Sequence, residues 1–196
     1  MTTETTIQHR DTQLDTRRET ATWHRWCLRQ VESCKEAIRT QPHDAEAYHN
    51  LGVALCNLGR YEEALEAFKV AISVKSDEAY AHYNLGVACS CLEQHEEAIA
   101  AFEDAIFCRS DFVEAYLNLA AIHGDLGQYQ AAIQRCQEAI RIRPDFVEAH
   151  YNLGWAYAMV RDKDAALREY HILKEMDSDL ANRLLSIITK EGRRVA

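Results

Sequence analysis

The stretch AEAYHNLGVALCNLG, residues 45–59, decides the fold because related stretches return at a fixed spacing along the chain. They begin at residues 79, 113 and 147 and read AYAHYNLGVACSCLE, VEAYLNLAAIHGDLG and VEAHYNLGWAYAMVR. Each start lies 34 residues after the previous one, and self-similarity at a period of roughly 20 to 50 residues indicates a stacked repeat protein. Three columns are invariant in all four copies: Asn50, Asn84, Asn118 and Asn152; Leu51, Leu85, Leu119 and Leu153; and Ala64, Ala98, Ala132 and Ala166.

Each copy predicts two helices that approach each other closely. The first helix carries a small residue directly after the invariant Leu, and the second carries the invariant Ala followed by a large or apolar residue four positions later. Gly59 and Gly127 mark the turn between the paired helices, while Pro42 and Pro144 follow second helices at one repeat position. The small residues are Gly52, Gly86, Ala120 and Gly154, and the residues that follow the Ala column are Phe68, Phe102, Cys136 and Tyr170.

A helix-turn-helix unit of this length with these columns resembles the tetratricopeptide repeat (TPR). The resemblance implies an all-α fold, a right-handed superhelical solenoid of antiparallel helix pairs. The predicted organisation is an N-terminal segment with a degenerate half repeat (1–44), four repeats (45–78, 79–112, 113–146 and 147–180), and a C-terminal capping helix with a basic tail (181–196). The caps would cover the apolar edges that the end repeats of a stack leave exposed.

In this family the first helices line a concave groove, and the Asn column resembles the Asn ladder of the O-GlcNAc transferase repeat domain, which holds substrate backbone. Nothing in the chain resembles the catalytic domain of that enzyme. The residues predicted to bind a peptide are Asn50, Asn84, Asn118, Asn152, His49, Tyr80, Tyr83, Leu117, Tyr151, Trp155, Glu114 and Glu148.

The physical basis for a ladder is that an amide side chain both donates to a backbone carbonyl and accepts from a backbone N–H. Aromatic neighbours would supply contact area, and the acidic ones would favour Lys or Arg in the ligand. The alternative is that each Asn bridges neighbouring first helices and binds nothing. A chaperone C-terminal carboxylate is a disfavoured ligand because the groove positions lack the Lys and Arg that would grip it.

Charge and composition narrow the range of partners. The net charge is −9, and residues 45–180 carry 23 acidic against 11 basic side chains, so a nucleic-acid partner is disfavoured. No apolar run is long enough for a signal peptide or a membrane span. Seven cysteines do not follow a disulfide pattern, which favours a reducing compartment and a cytoplasmic location.

The residues do not predict catalysis, a cofactor or a metal. Cys91 and His95 are four positions apart, but the predicted turn separates them, and zinc usually needs four ligands. The pairs Glu62–Glu63 and Glu96–Glu97 start second helices, where negative charge suits the helix dipole. The favoured function is an adaptor that holds an extended segment of another protein, rich in apolar and basic residues. The alternatives are a homo-oligomeric, self-associating scaffold for a multiprotein assembly and an enzyme or metalloprotein of a type the sequence does not reveal.

Overall fold

The computed structural model describes the backbone of residues 4–193 and the side chains of residues 22–190. Every regular element in this part of the chain is an α-helix, which confirms the predicted all-α class. Arg193 and Arg194, the predicted basic tail, have side chains outside the described residues. The helices are α1 (Glu4–Thr40), α2 (Ala45–Asn57), α3 (Tyr61–Val74), α4 (Ala79–Cys91), α5 (His95–Cys108), α6 (Val113–Asp125), α7 (Tyr129–Ile142), α8 (Val147–Met159), α9 (Lys163–Met176) and α10 (Ser178–Arg193).

The chain forms two compact units, residues 1–93 and 94–196. In the first unit α2 packs against α1 and α3, and α3 packs against α4. A Cβ atom added to Gly52 on α2 would lie 2.5 Å from Cε1 of Phe68 on α3, whose side chain is fully buried. The predicted close approach of this helix pair is therefore observed, with the Phe68 ring seated on the glycine.

In the third repeat the same positions are filled differently. Ala120 on α6 and Cys136 on α7 lie in one buried cluster with Leu153 of α8. A methyl group here replaces the hydrogen of the glycine, and a thiol replaces the phenyl ring. The pairs Gly52–Phe68 and Ala120–Cys136 thus fill equivalent repeat positions with side chains of different size.

Helix α10 closes the end of the second unit, as expected of a capping helix. It packs against α8 and α9. Ala181, Leu184 and Ile188 are all less than 4% exposed and form a cluster with Ala158, Ala166 and Leu173. A Cβ atom on Gly154 would lie 2.5 Å from Cδ2 of Leu184, so this glycine makes room for the cap.

Helix α1 is longer than the predicted half repeat. Most of the segment 1–44, which was predicted to hold the half repeat, is a single helix of 37 residues that begins at Glu4. The chain has no Gly or Pro before Pro42, so no strong helix breaker interrupts it. Cys27 and Val31 are the buried residues of its packed part.

The turn inside each repeat contains one residue with positive φ. Gly59 and Gly127 both have φ of +71°, and the equivalent residues Glu93 and Arg161 have φ of 57° and 64°. Glycine adopts this left-handed conformation without steric cost, whereas a side chain does not. Two of the four turns therefore carry local backbone strain.

A side chain near the start of the first helix fastens the preceding loop. In three repeats, the side chain of the fourth residue of the first helix forms a hydrogen bond with a backbone carbonyl oxygen six residues earlier in the chain. That carbonyl belongs to a proline in one repeat and to a serine in the other two. The pairs are His82 Nε2 with Ser76 (3.0 Å), the Tyr116 hydroxyl with Ser110 (3.4 Å) and His150 Nε2 with Pro144 (2.9 Å). Each loop carbonyl thereby accepts a hydrogen bond from the helix that follows it.

None of the described helices combines the length and the apolar composition that a membrane span requires.

Candidate functional site

Two open cavities lie side by side on the first unit. The larger, about 900 Å³, is lined by the loop after α1, the start of α2 and the end of α3. The smaller, about 610 Å³, lies between α1 and α2. Asp44, Glu46 and Asn50 line both cavities, so the two form one continuous groove along α2. We call this surface the α2 groove.

Asn50 is the predicted ladder residue that lies in the α2 groove. It is exposed, as is Glu46 one turn before it. Because α2 is fixed by its packing on α1 and α3, the Asn50 amide is held on a rigid element and faces open space on both sides.

Asn84 occupies the same position in the next repeat but is engaged within the protein. Its Nδ2 lies 2.8 Å from Nε2 of His49 on α2. Burial lowers the pKa of His49, and the opposing influence of Glu78 and Glu46 does not reverse this. The neutral imidazole accepts the amide proton at Nε2. Asn84 therefore makes the bridge between neighbouring first helices that the alternative interpretation describes.

Three predicted residues lie together on α8 in the second unit. Tyr151, Asn152 and Trp155 line a cavity of about 230 Å³ with Asp125 of α6 and Ile187 of α10. The guanidinium carbon of Arg183, also on α10, lies 5.6 Å from the centre of the Tyr151 ring. The predicted capping helix thus also covers part of the predicted binding surface, a placement that the sequence analysis missed.

Trp155 is held by contacts within the second unit. A Cβ atom on Gly124 would lie 2.7 Å from Cζ3 of Trp155, so the indole is seated on this glycine. Its other neighbour is the ring of Tyr129, edge-on at a centroid distance of 5.7 Å. Trp155 is therefore half-buried and preorganised.

The remaining predicted residues differ in their surroundings. Tyr80 is 51% exposed and Glu148 is exposed, while Tyr83 and Asn118 are half-buried. Leu117 packs on the buried cluster that contains Tyr116. Glu114 accepts a hydrogen bond of 2.8 Å from Arg143. Partial burial acts to raise the pKa of Glu114, but the hydrogen bond and charge of Arg143 outweigh it and the pKa is lowered, so Glu114 is a charged residue whose partner is already in the protein.

Family models identify the repeats. The model described as "Tetratricopeptide repeat" matches residues 45–106, and that described as "TPR repeat" matches residues 125–160. Together the two matches cover half of the chain. The chain belongs to the tetratricopeptide-repeat family. TPR proteins are generally non-catalytic interaction modules, so the broad class of this chain is protein binding. No curated protein matches it.

Solved structures agree with the TPR fold. MamA from Desulfovibrio magneticus is 22% identical with a TM-score of 0.71 over 81% of this chain and 93% of that chain. YrrB, described as a TPR protein with an unusual peptide-binding site, is 22% identical with a TM-score of 0.69 over 82% and 93%. A TPR protein from Parabacteroides merdae is 20% identical with a TM-score of 0.73 over 85% and 69%. Identities this low show the fold alone.

Helix α1 contributes residues to the α2 groove of this TPR protein that the sequence analysis did not single out. Trp26, Gln30 and Ser33 line the smaller cavity opposite α2. Their spacing of four and three residues places them on one helical face, and this pattern was available in the sequence. The degenerate half repeat therefore contributes to the groove as well as covering the end of the stack.

A buried ionisable pair between α8 and α9 was also missed. Nδ1 of His150 lies 2.7 Å from a carboxylate oxygen of Glu169, and both side chains are about nine-tenths buried. The other ring nitrogen faces the Pro144 carbonyl, so the ring satisfies both neighbours only when both nitrogens carry protons. The hydrogen bond to Glu169 is the main reason that the pKa of His150 is raised; burial opposes it.

The cysteines of the TPR units offer little nucleophilic chemistry in the core. Burial, assisted by the charge of Glu169, raises the pKa of Cys136 to about 12. Burial and the neighbouring Cys91 raise that of Cys56 to about 11. A thiol with such a pKa carries almost no thiolate at neutral pH. Across the described side chains, no cluster of three or more His, Cys, Asp or Glu residues could hold a metal ion.

Proposed function

We propose that this protein is a TPR adaptor that holds an extended segment of another protein and catalyses no reaction. The observation that carries the proposal is the α2 groove, where the exposed amide of Asn50 lies between two open cavities on a rigid helix. An extended backbone laid along α2 would find in this amide both a donor and an acceptor. Glu46 would favour a segment that carries Lys or Arg.

The other predicted residues differ in whether they would contact the ligand directly. Tyr80 and Tyr83 would extend the contact with the ligand in the first unit. In the second unit, the residues that would contact a ligand are Asn118, Asn152, Tyr151 and Trp155. Asn84 would position the groove rather than bind, because its amide is already bonded to His49. YrrB supports the proposal only as a protein of similar fold that is described as having a peptide-binding site.

The proposal includes a cytoplasmic location. None of the seven cysteines, all of which lie among the described side chains, forms a disulfide, which suits a reducing compartment.

Selection from a random peptide library, followed by titration, tests the proposal. We expect peptides selected on the wild type to lose affinity about three- to tenfold with Asn50→Ala, since one hydrogen bond contributes about 0.5 to 1.5 kcal/mol. Asn182→Ala is the matched control, because Asn182 is an exposed asparagine on α10. Failure to select any binder, or equal affinity for all three proteins, would reject the proposal.

The second candidate function is a self-associating scaffold. Phe107 favours it, because its side chain on α5 is 91% exposed and presents a phenyl ring to solvent. Analytical ultracentrifugation over a wide concentration range distinguishes the two functions. A scaffold would associate at micromolar concentration and Phe107→Ser would weaken the association, whereas an adaptor would remain monomeric.

A further inference from the structure

The α2 groove has an aromatic end. Trp23 and Trp26 on α1 stack with their ring centroids 4.9 Å apart, yet they remain 53% and 46% exposed. Trp26 lines the smaller cavity together with Val53 and Asn57 of α2. Tryptophan is one of the residue types that most often dominate protein-binding energies.

The opposite end of the groove is acidic. Asp44, Glu46 and Glu78 line the larger cavity, and Lys75 is the only lysine or arginine among its described lining residues. Three carboxylates against one ammonium leave a net formal charge of −2 when the histidines are neutral. Lys75 lies 2.7 Å from Glu78 and interacts chiefly with that carboxylate, while Glu46 stays exposed.

Helix α2 runs from the acidic end, at Glu46, to the aromatic end, where Asn57 lines the smaller cavity with Trp26. The distance between the two ends is therefore fixed by this helix. Glu46 and Asn57 are 11 residues apart on α2, which corresponds to about 16 Å along the helix axis. An extended chain covers that distance in about five residues. Asn50 lies between the two ends.

From this arrangement we infer that the α2 groove recognises a bipartite segment of a partner protein. The segment is extended, with a Lys or Arg at the acidic end and an aromatic or large aliphatic side chain about five residues away that packs against Trp26. Glu46 binds the cation, Asn50 bonds to the backbone between the anchors, and Trp26 binds the apolar side chain. This inference rests on the proposed function and specifies its ligand.

Charge and geometry select this occupant over others. The acidic end repels acidic segments and attracts basic ones, and the separation of the two ends sets the spacing of the anchors. A second copy of the chain is the competing occupant. It would appear as self-association at the protein concentrations used for binding.

Synthetic fluorescent peptides test the inference on the full chain. One series carries Lys and Trp separated by three, five or eight positions in a Gly-Ser background, and a matched series replaces either anchor by Ala. We expect the tightest binding at a separation of about five and at least about tenfold weaker binding when either anchor is lost. Raising the salt concentration should weaken binding of the Lys peptides only, because exposed charges are screened.

Variants of the protein test which part of the peptide each end of the groove binds. Trp26→Ala should weaken binding of the Lys-Trp peptide about tenfold but leave the Lys-Ala peptide unchanged, and Trp26→Phe should restore much of the loss. Glu46→Gln should remove the advantage of Lys and its dependence on salt. Leu28→Ala is the control, since Leu28 is exposed on the same helix as Trp26 but lines neither cavity. Circular dichroism verifies that each variant is folded.

The outcomes separate the inference from the proposed function. If library-selected peptides bind in an Asn50-dependent manner but show no dependence on Trp26, Glu46 or anchor spacing, the inference is wrong and the adaptor function stands. If the library yields no binder and the designed peptides also fail, both are wrong. Binding that appears only when the protein self-associates would assign the groove to a second copy and overturn the inference.

Discussion

Asn50 and Asn84 show how one repeat position serves two purposes. Asn50 faces the open α2 groove, whereas Asn84 donates to the neutral His49 of the preceding first helix. The difference arises because a hydrogen-bond acceptor lies within reach of Asn84 on the neighbouring helix. The same amide chemistry thus fastens two repeats in one case and stays available to a ligand in the other.

Replacing these two residues should separate stability from binding. We expect Asn84→Ala to lower the free energy of unfolding by about 1 kcal/mol, because His49 loses its donor in a half-buried site. Asn50→Ala should change it by less than about 0.5 kcal/mol, as is usual for exposed positions. Urea denaturation followed by circular dichroism measures both. Equal effects of the two changes would show that the His49 bond contributes nothing.

The Gly52–Phe68 contact makes a second prediction at single residues. Gly52→Ala places a methyl group against a fully buried ring and should lower the free energy of unfolding by about 1 to 3 kcal/mol. In the second unit Cys136→Phe should lower the free energy of unfolding by a similar amount, because the added ring would be packed too tightly against Ala120. Adding Ala120→Gly to Cys136→Phe should recover part of that loss in a double-mutant cycle. Strictly additive effects would argue that the two positions do not share a space.

His150 and Glu169 predict a pH dependence of stability. The folded state raises the pKa of His150 above its ordinary value near 6.5. The stabilisation is therefore fully present below the unfolded pKa and is lost as the pH rises through the folded one. Glu169→Gln should lower the His150 pKa and reduce the loss of stability that accompanies a rise in pH above about 6.5. An NMR titration of the imidazole checks this, and an unshifted His150 pKa in the variant would contradict it.

At the scale of elements, the turns between paired helices differ in strain although they share one geometry. Gly127 and Arg161 both have positive φ, and a Cβ atom on Gly127 would meet no other atom within 4 Å. A substitution there acts on backbone conformation alone.

Exchanging residues at these turns should move stability in opposite directions. We expect Gly127→Ala to destabilise by about 1 kcal/mol and Arg161→Gly to stabilise by up to about 1 kcal/mol, because only glycine tolerates positive φ without strain. Thermal unfolding monitored by circular dichroism measures both. A lower melting temperature for Arg161→Gly would mean that its side chain contributes more than the strain costs.

The sequence predicted helices better than it predicted their contacts. The 34-residue period placed the first helices because small and apolar columns repeat with the packing that they serve. It did not predict that α10 would lie beside Tyr151, because the period describes what the repeats share and carries no information about what covers the last one. The length of α1 was also missed, since a polar helix shows no apolar periodicity beyond its packed part.

At the scale of the whole molecule, the stack depends on its C-terminal cover. Leu184 and Ile188 bury Leu173 of the last repeat. Deleting residues 180–196 should expose this cluster, lower the melting temperature by several degrees and cause aggregation, since an end repeat has no further neighbour. Deletion of residues 191–196 is the control, because it keeps Leu184 and Ile188. Light scattering measures the aggregation of each variant, and calorimetry measures its melting temperature. If the protein that lacks residues 180–196 stayed monomeric and as stable as the wild type, the prediction would be wrong.

The different filling of Gly52–Phe68 and Ala120–Cys136 bears on how such a gene can change. Recombination inside the turn between the first and third repeats would join the first helix of one to the second helix of the other. The product would hold either a methyl group against a phenyl ring or a void between glycine and a thiol. Repeats that share the glycine and the large ring, as Gly52–Phe68 and Gly86–Phe102 do, would exchange helices without either fault, so recombination inside the turn should be tolerated only between repeats that are filled alike.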